Sequence, residues 1–203
     1  MTEDAQQPEQ VVDLEERGWL ARHRRGDESA FPALLAAYRR PVYSYLVRNG
    51  VAESERDDVF QGIFLKVHRA AGDYDPARPL APWLFTIVAN AVRNHFRDRK
   101  PQLASVDADE MPEAADPDPS PERIAQARET VTWLERAIRE LPLAQREVLL
   151  LVSVAGLRQP EVAESLDLPL NTVKTHLRRA RLALAAAMAE RDAPSGISGD
   201  RHD

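Results

Sequence analysis

Apolar residues along this chain recur at helical spacing in two blocks, about residues 12–100 and 123–190, with short breaks inside each. The clearest pattern comes late. Val173, Leu177, Ala180 and Leu184 fall at i, i+4, i+7 and i+11 and make one stripe that must face a core. Before it, Pro160 suits the first position of a short helix, because the amide it lacks has no partner there. Val162, Ala163 and Leu166 give that helix its apolar face. Asp167-Leu168-Pro169 breaks it, and Asn171 or Thr172 is expected to cap the next helix. Two short helices meeting at a tight turn predict a helix-turn-helix. Ahead of it, Leu141–Leu151 together with Val131, Trp133, Leu134 and Ile138 should build the core of this second block.

The first block reads the same way. Gly26-Asp27 should end one helix and cap the next, and Ser54 with Asp57 resembles a variant capping box. Phe60, Ile63, Phe64 and Val67 then form a core stripe, while Asp57, Asp58, Gln61 and Leu65 project on another side. An acidic surface carrying an exposed leucine suits a protein partner, although helix-start acids beside one stray leucine would look alike. A further helix is expected from near Pro82, with Trp83, Leu84, Ile87, Val88 and Ala91 as its apolar face. The expected fold is all-α: two small helical domains joined by an acidic flexible linker at residues 101–122, with a disordered tail at 191–203.

Charge changes the picture. The formal net charge is -6, which is unusual for a chain that contacts nucleic acid. The acids are segregated, however. Residues 1–16 hold six acids and no base, and residues 103–122 hold seven acids and no base, with prolines at 112, 117, 119 and 121. By contrast Asn171 to Leu184 contains four bases (Lys174, Arg178, Arg179, Arg181) and no acid. At 100° per residue the side opposite the apolar stripe carries Asn171, Thr175, Arg178 and Arg179, flanked by Lys174 and Arg181. A recognition helix needs this arrangement, since arginine can bond guanine in a bidentate fashion in the major groove. A second track, Thr86, Asn90, Arg93 and Arg97 at i, i+4, i+7 and i+11, with Asn94 beside it, offers arginines for phosphate and asparagine for a base edge.

Three segments of the first block, GDESAFPALLAAYRRPVYSYL, DDVFQGIFLKVHRA and PLAPWLFTIVANAVRNHFRDR, precede LPLAQREVLLL and GLRQPEVAESLDLPLNTVKTHLRRAR. In this order they closely resemble extracytoplasmic-function (ECF) sigma factors of the bacterial sigma-70 family, over most of residues 12–190. The resemblance implies that residues 12–100 are domain 2, which docks on the polymerase clamp, and 123–190 are domain 4. Asp57, Asp58, Gln61 and Leu65 would grip a coiled coil of the β′ subunit. Tyr74, Thr86, Asn90, Arg93, Asn94 and Arg97 would read and help open the promoter −10 element. Asn171, Thr172, Lys174, Thr175, Arg178, Arg179 and Arg181 would read the −35 element, with domain 4 docked on the β flap. The linker would thread toward the polymerase cleft. The implied partners are core RNA polymerase, promoter DNA and an anti-sigma factor. In the family the loop at residues 72–79 receives a flipped base, so Tyr74 could stack on it or pack on Trp83. Trp83 itself reads as a core residue.

Three positions depart from the family pattern: Arg158 where serine is usual, Asn171 where glycine is usual, and Gly62 where an acid is common. The last should weaken one polymerase contact. Other function classes find less support. There is no cysteine and no glycine-rich phosphate loop, and the histidines at 23, 68, 95, 176 and 202 lack metal-ligand spacing, so no metal, cofactor or catalytic activity is expected. His95 and His176, lying in basic helices, suit phosphate contact better than acid–base work. No apolar run approaches the roughly 20 residues of a membrane span, and the first residues are unlike a signal peptide, which points to a cytoplasmic protein. Two rivals remain: an autonomous helix-turn-helix regulator, and a sigma-like module that only sequesters an anti-sigma factor.

Overall fold

The computed structural model describes residues 7–98 and 121–192. The expected linker lies outside the described residues except for Pro121 and Glu122, which open a helix, and the expected tail lies outside them except for Arg191 and Asp192, which end one. Among the described residues the regular elements are helical: α1 (Gln7–Arg24), α2 (Ala30–Asn49), α3 (Glu53–Arg69), a 3₁₀ turn (Ala70–Gly72), α4 (Leu80–Arg97), α5 (Pro121–Glu140), α6 (Leu143–Ser153), α7 (Gln159–Leu166) and α8 (Leu170–Asp192).

In the amino-terminal group α1 lies on α2 and α3 on α4. Of the expected stripes, Ile63, Phe64 and Val67 of α3 and Leu84, Val88 and Ala91 of α4 are buried and close on Leu34, Val42, Tyr45 and Leu46 of α2, while Phe60, Trp83 and Ile87 are half-buried against them. Phe85, absent from the expected face, is also buried and meets Tyr45 edge-on at 5.9 Å. In the carboxy-terminal group α6 lies along α8, with α7 against both. Val148, Leu150 and Leu151 meet Val162, Leu166, Val173, Leu177 and Ala180. The apolar cluster does not stop between the groups. It runs unbroken from α2 and α4 into α6 and α7.

Several local expectations are corrected. Val131 and Leu134 stay exposed; α5 instead buries Glu135, Ala137 and Ile138, and its middle meets α8 through Arg191, which lies over the Trp133 ring and donates to the Thr130 hydroxyl at 3.2 Å. Ser54 is not a cap. α3 opens at Glu53 after an extended Ala52, and the Asp57 carboxylate accepts the Tyr43 hydroxyl at 2.8 Å rather than closing a capping box. Asp27 does not cap α2 directly: its carboxylate accepts the Ser29 amide at 3.0 Å and the Ser29 hydroxyl at 2.6 Å, in the turn before the helix. These bonds, with that from Arg22, hold the Asp27 carboxyl down at about 2. α4 starts at Leu80, which places Pro82 in its first turn, as expected. Asn171 and Thr172 lie inside the first turn of α8, since the Pro169 carbonyl already accepts the amides of Thr172 (2.9 Å) and Val173 (3.2 Å).

The turn between α7 and α8 rests on Asp167. Its φ is 53°, the left-handed conformation that closes a helix, and the Leu168 amide returns to the Ala163 carbonyl at 2.9 Å. Aspartate tolerates this conformation better than most side chains, and β-branched residues tolerate it poorly. Gly62 is different: it sits mid-helix in α3 with open space where a side chain would project, so nothing requires glycine there.

Two stability outcomes follow from those positions. Gly62→Ala should stabilise the protein by about 0.5–1 kcal/mol through helix propensity. Asp167→Val should cost about 1–2 kcal/mol through backbone strain. Thermal unfolding followed by circular dichroism measures both, and a lower midpoint for Gly62→Ala would show that α3 is not the ordinary helix described.

Candidate nucleic-acid interface

α8 presents its bases as its periodicity requires. Val173, Leu177 and Ala180 are fixed in the core, so the rotation of the helix is set. Asn171, Lys174, Thr175, Arg178, Arg179 and Arg181 are then exposed, with Thr172 half-buried. Among the described residues no carboxylate pairs with Lys174, Arg178, Arg179 or Arg181. The Thr175 hydroxyl donates to the Asn171 carbonyl at 2.8 Å, which keeps its lone pairs available. Half-buried His176 shares the helix, its Nδ1 enclosed without a partner among the described residues. At the start of α7, Arg158 replaces a hydroxyl cap. The Glu161 carboxylate accepts the Arg158 amide at 2.8 Å and its guanidinium Nε at 3.0 Å, so the reach-back half of a capping box survives.

On α3 Asp57, Asp58, Gln61 and Leu65 are exposed together, as expected from the spacing. Leu65 is 56% exposed, the largest fraction among the exposed large apolar side chains of the described residues. The acids beside it make the patch anionic.

The α4 track differs from α8. Asn90 and Arg97 are exposed and Asn94 is half-buried. The Thr86 hydroxyl donates to the Pro82 carbonyl at 2.8 Å. Tyr74 is 4% exposed; its hydroxyl donates to the Arg78 carbonyl at 2.6 Å and its ring packs on Trp83 at 5.2 Å. The structure therefore selects the packing alternative for Tyr74. His95 turns to the Glu55 carboxylate of α3 at 3.5 Å, away from the expected phosphate role. Arg97 pairs with its neighbour Asp98 at 3.2 Å.

Arg93 is turned inward, onto the carboxy-terminal group. Its Nε donates to Glu147 Oε1 at 2.6 Å and its second nitrogen to Oε2 at 2.8 Å, a bidentate fork. Glu147 is 3% exposed. Donating to the Glu147 carboxylate holds Arg93 firmly protonated, and burial together with the Glu147 charge pushes the neighbouring Tyr45 phenol above its ordinary value. Three further contacts cross the same seam. Arg146 donates to the Asn49 carbonyl at 3.1 Å, the Ser165 hydroxyl donates to the Pro82 carbonyl at 3.1 Å, and Arg78 pairs with Glu164. Between the loop at 73–79 and α7 lies a cavity of about 560 Å³, with Tyr74, Trp83 and Thr86 on one wall and Glu161, Glu164 and Ser165 on the other.

Two family models match the chain: sigma-70 region 2 over residues 34–102, and sigma-70 region 4 over residues 132–184. The RNA polymerase sigma factor NccH of Alcaligenes xylosoxydans xylosoxydans is 32% identical over 169 residues, covering 82% of this chain and 91% of that protein. The ECF RNA polymerase sigma factor SigM of Mycobacterium tuberculosis is 31% identical over 166 residues, 82% of this chain and 81% of that one. The chain belongs to the ECF sigma factors of the sigma-70 family. Among solved structures, CnrH in complex with the cytosolic domain of CnrY superposes with a TM-score of 0.67 at 27% identity, covering 88% of this chain and 99% of that one.

As a sigma factor the protein directs transcription initiation. Its second region supplies the helix-turn-helix of α7 and α8, and its first region supplies α3 and α4. Among the described residues no helix is long and apolar enough to cross a membrane. The contact that sequence reasoning missed is Glu147. A signal existed: this acid lies three and four residues before Leu150 and Leu151, on the buried face of α6, where a carboxylate needs a cation.

Tyr74→Phe removes one buried hydroxyl bond and leaves the ring packing intact. It should cost about 0.5–1.5 kcal/mol in urea unfolding, with no change in helical content. A neutral result would mean that the bond to Arg78 contributes nothing to the loop.

Proposed function

We propose that the sigma factor divides its work between two domains, residues 12–100 and 123–190. The first docks through Asp57, Asp58, Gln61 and Leu65 on the β′ clamp coiled coil of core RNA polymerase. It reads and opens the −10 element through α4 and the loop at 73–79. The second docks on the β flap and reads the −35 element through Lys174, Thr175, Arg178 and Arg179, with Asn171, Thr172 and Arg181 alongside. The acidic residues between 101 and 122 thread toward the basic polymerase cleft. Engaging both elements through one tether raises effective concentration, so two weak contacts sum to a specific one. The protein works in the cytoplasm and has no catalytic activity of its own; the chemistry of RNA synthesis belongs to the polymerase.

One observation carries this reading: α8 buries its apolar stripe and leaves an unpaired basic face on the helix after the turn. An acidic patch around an exposed leucine, remote in sequence, supports a separate polymerase contact. An anti-sigma factor is a further partner. Similarity to CnrH, solved with the cytosolic domain of CnrY, supports such a complex.

Run-off transcription with purified core polymerase tests the reading. A specific transcript that depends on both promoter elements is expected; its absence would leave a sequestering mimic or an autonomous regulator. Arg179→Ala should weaken −35 binding by about 1–3 kcal/mol and relax one base position, whereas equal loss on every sequence would reduce Arg179 to a phosphate contact. Leu65→Ser should weaken capture of core polymerase about tenfold, since an apolar anchor of this size contributes more than 1.4 kcal/mol when buried. Unchanged capture would move the docking patch elsewhere.

A further inference from the structure

The two acids at the head of the α3 patch are not held alike. Asp57 and Asp58 are neighbours in sequence and both are exposed. The Asp57 carboxylate accepts the Tyr43 hydroxyl of α2 at 2.8 Å, while Asp58 has no partner among the described residues. Tyr43 is itself fixed at both ends. Its backbone lies between Val42 and Tyr45, which are buried and set the rotation of α2. Its ring packs on Phe60 of α3 with centroids 5.8 Å apart, and Phe60 leans on buried Phe64 at 4.7 Å. The hydroxyl therefore reaches across from one helix to the next out of a rigid frame. A phenol is an uncharged donor, so it orients a carboxylate without cancelling its charge. A lysine or arginine in that place would hold Asp57 as firmly but would neutralise it.

We propose that Tyr43 is a positioning residue of the polymerase-docking surface, which is thereby built by α2 and α3 together. This inference rests on the assignment of the α3 patch to polymerase binding. The hydroxyl takes Oδ1 of Asp57; a carboxylate has lone pairs for further donors, so exposed Asp57 can still accept a cation of the partner. Held in one rotamer, Asp57 has less freedom to lose when the partner arrives. Asp58, with no such hold, contributes its charge to drawing the partner in. Leu65, about two turns further along α3, contributes apolar area. The three side chains thus have different tasks, and the Tyr43 hydroxyl acts on one of them.

The affinity of the fluorescently labelled full-length protein for purified core polymerase tests the role of Tyr43; circular dichroism checks that each variant folds. Tyr43→Phe keeps the ring against Phe60 and removes only the hydroxyl. It should weaken binding about threefold, against about tenfold for Asp57→Ala. The double variant Tyr43→Phe/Asp57→Ala should bind as Asp57→Ala does, because no carboxylate is left to orient. In an Asp58→Ala background the threefold factor should persist. A merely structural role gives a different pattern, in which the loss from Tyr43→Phe appears in both backgrounds. That pattern, or unchanged binding by Tyr43→Phe, would overturn the proposal. Leu65→Ser leaves Tyr43 and Asp57 untouched and reports separately on the docking surface. Weakened binding by Leu65→Ser beside full-strength binding by Tyr43→Phe removes the positioning role and keeps the docking assignment. Full-strength binding by Leu65→Ser and Asp57→Ala alike removes both.

Discussion

A carboxylate buried among leucines is the constraint around which the two helix groups are arranged. Glu147 lies on the inner face of α6, and transferring an unpaired carboxylate there from water would cost several kcal/mol. Arg93 of α4 removes that cost only from one position, with both forks aligned. The pair therefore fixes how α6 sits on α4 more than it adds to stability. Arg93 keeps about a third of its side chain in solvent, which weakens its share of the attraction. Hydrophobic contact alone would permit sliding along the seam; the fork selects one register. Arg146 and Ser165 then donate to main-chain carbonyls at Asn49 and Pro82, contacts that fit only when that register is held.

The contrast between the two basic helices follows from where each buries its apolar face. α8 is anchored by α6 and α7 along its apolar stripe and by α5 only near its end, at Arg191, so Lys174, Arg178, Arg179 and Arg181 stay exposed. α4 is gripped on two sides, by α3 within its own group and by α7 across the seam. A helix with two packed sides has little polar surface left for solvent, and Thr86 and Arg93 fall on the part that α6 and α7 border. The same helical spacing thus yields an open track in one case and a covered one in the other.

Most of the fold was legible because helical periodicity is a local property. The stripes at Ile63, Phe64 and Val67, and at Val173, Leu177 and Ala180, could be read from spacing alone and are buried. The helix-turn-helix was legible for the same reason, with Pro160 and the Asp167-Leu168-Pro169 break marking its ends. Failures cluster where the answer depends on something distant. Val131 and Leu134 have the spacing of a core face, yet no helix arrives to cover them. Ser54 has the chemistry of a cap, but the extended residue that starts α3 is Ala52. Arg93 has the spacing of a phosphate contact, and its partner lies 54 positions away in a different helix group. On the candidate surfaces, exposure was predictable for α8 and for Asp57, Asp58, Gln61 and Leu65, each of which depends on one helix. It was not predictable for α4, where two groups meet.

Because the apolar cluster is continuous across the seam, separating α4 from α6 and α7 uncovers carbon as well as charge. An open form must therefore find something to cover that surface, and whatever covers it stabilises the open form by its own binding free energy. A protein surface suits that task better than a polyanion, because the flank of α6 that would be uncovered is aliphatic, at Val148, Leu150 and Leu151. The acidic patch of α3 is already exposed with the two groups packed together, so engaging it requires no rearrangement.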